Sequence, residues 1–535
     1  MAEVTIVGAG LGGLAAALRL LERGFSVEVI EQNAFPGGKW GAHRRDGGTD
    51  YHEHCYHMVL NWYHNLWDIV DELGVRGSFE PCREMRYLRA GEFPRTTAMR
   101  DVGAPGTVLG NLFSGALPPA DAFVYGYSLV DLLGRRFVRS DFLDQYPVNG
   151  FMRSRGYATD EAALHHQRTL AKAFASPSYA TAASTYRNFI RYGFAAPSPM
   201  MWMLKGNSHE VFFAPLMKRL ESFGDRFAFT GLTRVAGLVL DPEGRRVTAL
   251  ELEAVGTSPS VRDGSTPARG RRRVEVGELI LAIPARALAA LVDAEVYAAD
   301  PRLGDVKKLR SEPMASLDLY FRRRLPGVPR GITVLMDARY ELTFVDNAQL
   351  WPGHDATYLN VVASDFDMLL GLPTGLGEDG AAAVDLERPR SVLDHLLAEL
   401  RRFVPFEVED LDLPRTYLQT NVGEELIVNE VGSWALRPDT RTRIANLTLA
   451  GDYVRTEIDA VTLEGAAMSG LMAAEAVRAR AGRGAPIPIK RPKAYPEAAM
   501  AALAFVGLPW AYAAKVASVA GGEAWRTYAE VFGDD

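Results

Sequence analysis

Cysteine is nearly absent from this chain: 535 residues contain only Cys55 and Cys82. Two thiols cannot build a disulfide framework, and neither belongs to a cysteine pair at zinc-ribbon spacing, so a reducing cytoplasm is the expected setting. A basic excess is also missing, because 59 Lys and Arg face 66 Asp and Glu for a net charge of −7. That balance argues against a nucleic-acid partner. The one compact basic run, Arg269 to Arg273, closes a Gly, Ser and Pro-containing insertion between two strand-like segments and reads as a solvated hairpin tip. A first strand starting at Val4 leaves no room for a signal or transit peptide, so none is expected. The charge-free run from Ala498 up to Lys515 carries Pro509 in its middle, which reads as short and broken for a spanning helix.

Hydrophobic residues make up 48% of the chain, enough for a deep core shared by at least two lobes. Residues Val4 to Glu31 read VTIVGAGLGGLAAALRLLERGFSVEVIE: an apolar strand, a glycine turn, a helix with small residues on one face, and a second strand closing on an acid. This is a βαβ unit suited to a dinucleotide. Gly8 permits the tight turn, Gly10 lets the backbone approach a pyrophosphate, Gly12 continues the glycine loop, and Gly13 lets the helix lie close to the sheet. The pyrophosphate would sit at the helix N-terminus, where unpaired N–H groups and the helix dipole favour an anion. Glu31 is placed to accept hydrogen bonds from adenosine ribose hydroxyls, and its charge disfavours the 2′-phosphate of NADP.

Further stretches carry a resemblance. Pro36-Gly37-Gly38-Lys39 follows Glu31, and HCYHMVLNWYHNLWDIVDELGV runs from His54 to Val75. MLKGNSHEVFFAPLMKRLESFGDRF begins at Met203 and LILAIPARALAALV at Leu279. Near the C-terminus, a strand at Leu447 leads to a Gly451-Asp452 turn and then to a helix starting near Thr462, rich in the small residues Gly465, Ala466, Ser469 and Gly470. Together these resemble the FAD-dependent amine oxidase and phytoene desaturase superfamily, closest to plant-type phytoene and zeta-carotene desaturase-like flavoproteins, over most of residues 2 to 480. The resemblance implies non-covalent FAD. Gly38 and Lys39 would lie near the phosphates, Val235 on a flavin-side strand, and Gly451 and Asp452 by the ribityl and pyrophosphate region. Val461, Thr462 and Leu463 would aim N–H groups at the flavin's pyrimidine edge. Lys39 replaces the usual arginine, keeping the charge but losing the planar fork, while Leu463 stands for methionine and Trp62 for a cysteine.

The expected fold is α/β: a Rossmann-type FAD-binding domain interleaved with an α+β substrate domain that holds an antiparallel sheet and a helical insertion. Residues 1–90, 203–295 and 436–482 are assigned to the FAD-binding domain, 91–202 to the helical insertion, 296–435 to the substrate domain, and 483–535 to a Pro-rich linker with an apolar C-terminal helix. Alternation in SLDLYFRR, GITVLMD, YELTFVD and ATYLNVVAS predicts a sheet with one buried face, and residues 385–405 read as a helix.

The resemblance implies an FAD-dependent oxidoreductase that desaturates a lipophilic isoprenoid or polyene-like substrate by hydride transfer to flavin N5, with a quinone or O2 taking the electrons. A soluble flavin amine oxidase and a redox-neutral lipid isomerase or hydratase are the alternatives. Catalytic candidates by motif position are His57 and Lys205, with Glu464 a third. His52, His54, His57 and His64 crowd one short stretch, yet the desaturase match accounts for His57 as a wall beside the cofactor, and no metal is expected. Trp510 and Tyr512 beside the apolar tail, with Lys490, Arg491 and Lys493 upstream, suit a helix lying peripherally in a membrane interface. Packing on the body, or on the partner subunit of a homodimer, suits the same helix equally well.

Overall fold

The computed structural model describes residues 2–44, 50–90, 95–101, 105–134, 140–256, 269–376, 384–421, 425–493 and 495–532. Its central sheet has five parallel strands in the order 227–230, 27–30, 4–7, 278–281 and 447–449. Strands buried at every residue, such as VTIV at the centre, match a parallel sheet covered on both faces. The helices Leu11–Glu22 and Leu463–Ala481 pack against each other at a glycine crossing. A Cβ on Gly470 would fall 2.1 Å from the Gly12 carbonyl oxygen, so only glycine allows the two helices this approach.

A three-stranded antiparallel sheet joins Thr233–Leu240, Val247–Ala254 and Arg269–Glu275. The basic run is therefore a strand and not a hairpin tip. Cross-strand charge explains why: Glu253 takes Arg271 Nε at 2.9 Å and Arg234 at 2.8 Å, so the arginines find partners in the ladder. Residues 257–268, the rest of that insertion, lie outside the described residues.

Seven strands make the second large sheet, in the order 417–420, 315–320, 358–363, 342–346, 333–335, 84–89 and 95–100. Neighbours are antiparallel except 333–335 with 84–89. The hairpin at 84–100 belongs here, so a division at residue 90 would cut a hydrogen-bonded ladder. The expected alternation is present, but both faces are buried. On one face Leu317, Leu319, Phe344, Leu359 and Val361 pack with leucines of the Val392–Arg401 helix, which is shorter than the expected 385–405 because the Ser391–Asp394 capping box fixes its start. The other face is polar and covered by residues 50–57. There Asp318 accepts from Asn360 Nδ2 at 2.7 Å and Tyr358 OH at 2.9 Å, and meets His52 Nδ1 at 2.9 Å. Alternation reported polarity correctly; hydrogen bonding, not water, satisfies it.

Four helices, Pro119–Leu133, Val148–Arg153, Asp160–Phe174 and Ala183–Phe194, form most of the helical insertion. The tail is one continuous helix, Glu497–Phe532, with Pro509 inside it. The N–H missing at Pro509 would have bonded the carbonyl of Phe505, a residue 82% exposed, so water can serve that carbonyl and the helix continues. Glu497–Gly521 is thus long and apolar enough to cross a membrane, which corrects the short, broken reading. One side rests on Pro119–Leu133: Tyr127 OH donates to Ala504 O at 2.7 Å, and Ser518 Oγ donates to Asp121 at 2.8 Å.

Candidate active site

The C-terminal ends of the central strands open on a cavity of about 660 Å³ that continues to the polar face of the seven-stranded sheet. Gly8, at φ +102°, ends the first strand; a Cβ there would sit 2.3 Å from the Ala282 carbonyl oxygen. Gly13 would place one 2.0 Å from the Gly8 oxygen, confirming its packing role. Gly10 differs. Its missing Cβ would meet nothing nearer than Gly38 Cα at 3.9 Å, so the space serves something the protein does not itself supply. The helix after Gly10 has no side-chain cap and no acid in its first turn, leaving its N–H groups for an anion.

Glu31 is buried at the rim of this loop, with Oε2 accepting the Ala9 N–H at 2.7 Å and Oε1 accepting the Asn33 N–H at 3.0 Å. The Gly37-Gly38 turn docks on the same loop through Gly37 N–H to Ala9 O at 2.8 Å. From the other end of the chain, Gly451 at φ +134° donates its N–H to Ser469 Oγ at 2.8 Å, and Lys39 Nζ pairs with Asp452 at 3.2 Å. Thr462 caps the Leu463–Ala481 helix, its Oγ1 accepting the Gly465 N–H at 3.1 Å. Val461, Thr462, Leu463 and Val235 all line the cavity, as do Gly8, Gly10, Gly12, Glu31, Gly38, Lys39, Gly451 and Asp452. The glycine vacancy, uncapped helix start and buried acceptor fit a dinucleotide, and the Val461–Leu463 helix start gives its second half a neighbour.

His57 lines the cavity on the sheet side, where burial pushes it down to about 4, so it is neutral near pH 7. Lys205 does not reach the cavity. It follows the strand Met201–Leu204 with the opposite orientation to buried Leu204 and is exposed, so the catalytic assignment is withdrawn. Glu464 is buried behind the helix start. It accepts from Asn65 N–H at 2.9 Å, Asn65 Nδ2 at 2.7 Å and Leu66 N–H at 3.1 Å, holding the first turn of the His64–Glu72 helix. That role is structural. The four histidines also part: His52 pairs with Asp318, His64 starts the His64–Glu72 helix, and His54 and His57 remain together with Cys55.

Lys172 was not anticipated. It is buried at the far end of the cavity, donating to Leu335 O at 2.6 Å and pairing with Glu341 at 3.0 Å. Its partner stands on two consecutive left-handed residues, Tyr340 at φ +61° and Glu341 at φ +49°, a costly conformation away from glycine. On a helix with polar neighbours Lys172 looks like a solvated side chain, and nothing local signals otherwise.

The profile of NAD(P)-binding Rossmann-like domains matches residues 6–73, and that of flavin containing amine oxidoreductases matches residues 233–478. The 15-cis-phytoene desaturase of Solanum lycopersicum is 24% identical over 496 residues, covering 89% of this chain and 77% of its own. The zeta-carotene desaturase of Synechocystis is 23% identical over 519 residues, covering 90% and 98%. Among solved structures, an oxidoreductase from Methanosarcina mazei shares the fold with a TM-score of 0.61 at 15% identity, covering 88% of this chain and 99% of that one. The chain is thus similar to flavin amine oxidoreductases over residues 233–478 and to carotenoid desaturases over most of its length. It is a flavin-dependent oxidoreductase.

Proposed function

We propose that the protein binds FAD non-covalently and desaturates a neutral, lipophilic, isoprenoid-like substrate. The observation that carries this reading is the charge of the substrate half of the cavity. Met58, Leu60, Met314, Val362 and Ile427 line it, its one charged lining residue among those described is Lys172, already paired with Glu341 behind the wall, and the acids among the described lining residues are Glu31, Asp452 and Glu253. Glu31 and Asp452 belong to the dinucleotide end, and Glu253 is taken by two arginines. A cationic amine would lose its hydration there without gaining a carboxylate, a cost that disfavours the amine oxidase reading.

When bound, FAD supplies the hydride acceptor. The chain's own part is to hold the substrate against it, exclude water and accept the proton that leaves with the hydride. Neutral His57 lines the cavity wall. A quinone or O2 is the proposed electron sink, and a lipid surface, met through the exposed face of the tail helix, the proposed source of substrate.

Anaerobic mixing tests this. A polyene isoprenoid presented in vesicles should bleach the flavin stoichiometrically, and primary amines should not. Bleaching by an amine alone would reverse the assignment, and bleaching by neither would favour the redox-neutral alternative.

A further inference from the structure

His54, Cys55 and His57 converge on one point of the cavity wall. Their candidate ligand atoms all lie within 4.8 Å of one another. Cys55 Sγ stands 3.5 Å from His54 Nε2 and 3.8 Å from His57 Nε2. A tetrahedral zinc site, with bonds of about 2.3 Å to sulfur and about 2.0–2.1 Å to nitrogen, has sulfur–nitrogen edges of about 3.5 Å and nitrogen–nitrogen edges of about 3.3 Å. The sulfur edges are already close to those of such a site, and only the two imidazoles need to close. Their rings are T-shaped, with centroids 5.1 Å apart, and His57 Nδ1 stands 4.0 Å from the thiol.

We propose that His54, Cys55 and His57 bind one borderline-soft divalent cation, for which zinc has the matching donor preference, with the fourth coordination position open to the cavity. Thiolate and imidazole together select zinc over magnesium or calcium, which take oxygen donors. Three protein ligands with one position left is the pattern of a reactive rather than a purely structural site. Among the described residues, no carboxylate or ammonium is hydrogen-bonded to any of the three, and the nearby Glu53 is occupied by the Ser208 N–H at 2.6 Å. The inference does not rest on the flavin reading.

Cobalt is the probe, because thiolate ligation gives it a charge-transfer absorption that imidazole does not. Full-length flavoprotein is loaded with Co2+ and gel-filtered, with flavin content measured on the same sample. The expected result is about one retained cobalt per chain and the thiolate band. Cys82→Ala, which removes the only other thiol, should keep the band. Cys55→Ser should lose it, and His54→Ala should weaken retention about tenfold or more. No retained cobalt in wild type, a band that survives Cys55→Ser, or a band lost in Cys82→Ala each overturns the proposal. If Cys55→Ser fails to fold, wild type and Cys82→Ala decide alone. Cobalt bound through Cys55 in a protein that holds no flavin would leave this site standing and remove the FAD reading instead.

Discussion

Lys39 Nζ stands 3.2 Å from Asp452 Oδ2, an ion pair joining the glycine turn after the second strand to the loop before the last cofactor-binding helix. Both side chains are mostly buried in the cavity wall. Lys39→Met leaves Asp452 partly desolvated without its hydrogen-bonded cation, and it removes a positive charge from the expected phosphate region. FAD affinity should fall by about 10- to 100-fold, the equivalent of about 1–3 kcal/mol. Titration of apoprotein with FAD measures it, and an unchanged Kd would separate this pair from cofactor binding.

Gly470→Ala tests the helix crossing. The added carbon would collide with the Gly12 carbonyl at 2.1 Å, and backbone on both sides leaves little room to yield. A loss of about 1–3 kcal/mol in stability is expected, with loss of flavin in step, since Gly12 lines the cavity. Thermal melts and flavin release should shift together; a melt near wild type would mean the helices slide freely.

Glu464→Ala should act on folding and not on chemistry. It strips the acceptor from three N–H donors of Asn65 and Leu66, costing about 2–4 kcal/mol. Glu464→Gln retains a carbonyl acceptor and should recover much of that. If instead the alanine variant melts normally but turns over slowly, the residue belongs to catalysis after all.

Buried titrating groups set opposite limits on stability. Burial pushes His43 and His57 down to about 4 and His165 and His166 down to about 3, from 6.5. Their folded values are depressed, so the unfolded chain takes up protons first, and stability is lost as pH falls below 6.5 toward those values. Burial pushes Glu53 and Glu464 up from 4.5 to about 8. Their contribution is complete below 4.5 and is lost as pH rises toward 8. Urea midpoints should therefore peak at about pH 6–6.5 and fall on both sides. A midpoint flat from pH 5 to 8 would contradict the account.

Phe505 and Trp510 project from the tail helix with 82% and 67% exposure. Phe505→Glu with Trp510→Glu should leave melting and flavin content unchanged while abolishing co-sedimentation with anionic vesicles, because both changes fall on the uncovered side, where they remove apolar area and add repulsion. Wild-type protein that never sediments, or a variant that sediments as well as wild type, would assign the exposed face another role.

The dinucleotide half of the site was legible because its grammar is local: Gly8, Gly10 and Glu31 belong to one βαβ unit, and Thr462 is a helix cap readable from three neighbours. Lys172 was not, since its partners come from Leu335 and Glu341 on another element, and no spacing rule links them. Lys205 misled for the converse reason. Motif position fixed its neighbours, but strand alternation, buried at Leu204 and exposed one residue later, decided its direction. The polar rows of the seven-stranded sheet read as solvent-facing because period-two alternation reports polarity, and the cover over Asp318 arrives from residues 50–57. Pro509 suggested a break because sequence shows the lost N–H and not the exposure of the carbonyl it would have bonded.

The five-stranded sheet is ordered 227–230, 27–30, 4–7, 278–281, 447–449, so its outer strand is also its last in the chain. During synthesis the glycine loop emerges first, yet Gly451, Asp452 and the helix from Leu463 follow only after most of the polypeptide has left the ribosome. A nascent chain therefore carries a half-built, apolar cleft for nearly the whole of translation, exposed to chaperones and to aggregation. Cofactor capture becomes a late event, and flavin supply acts on how much finished protein survives rather than on how the first domain folds.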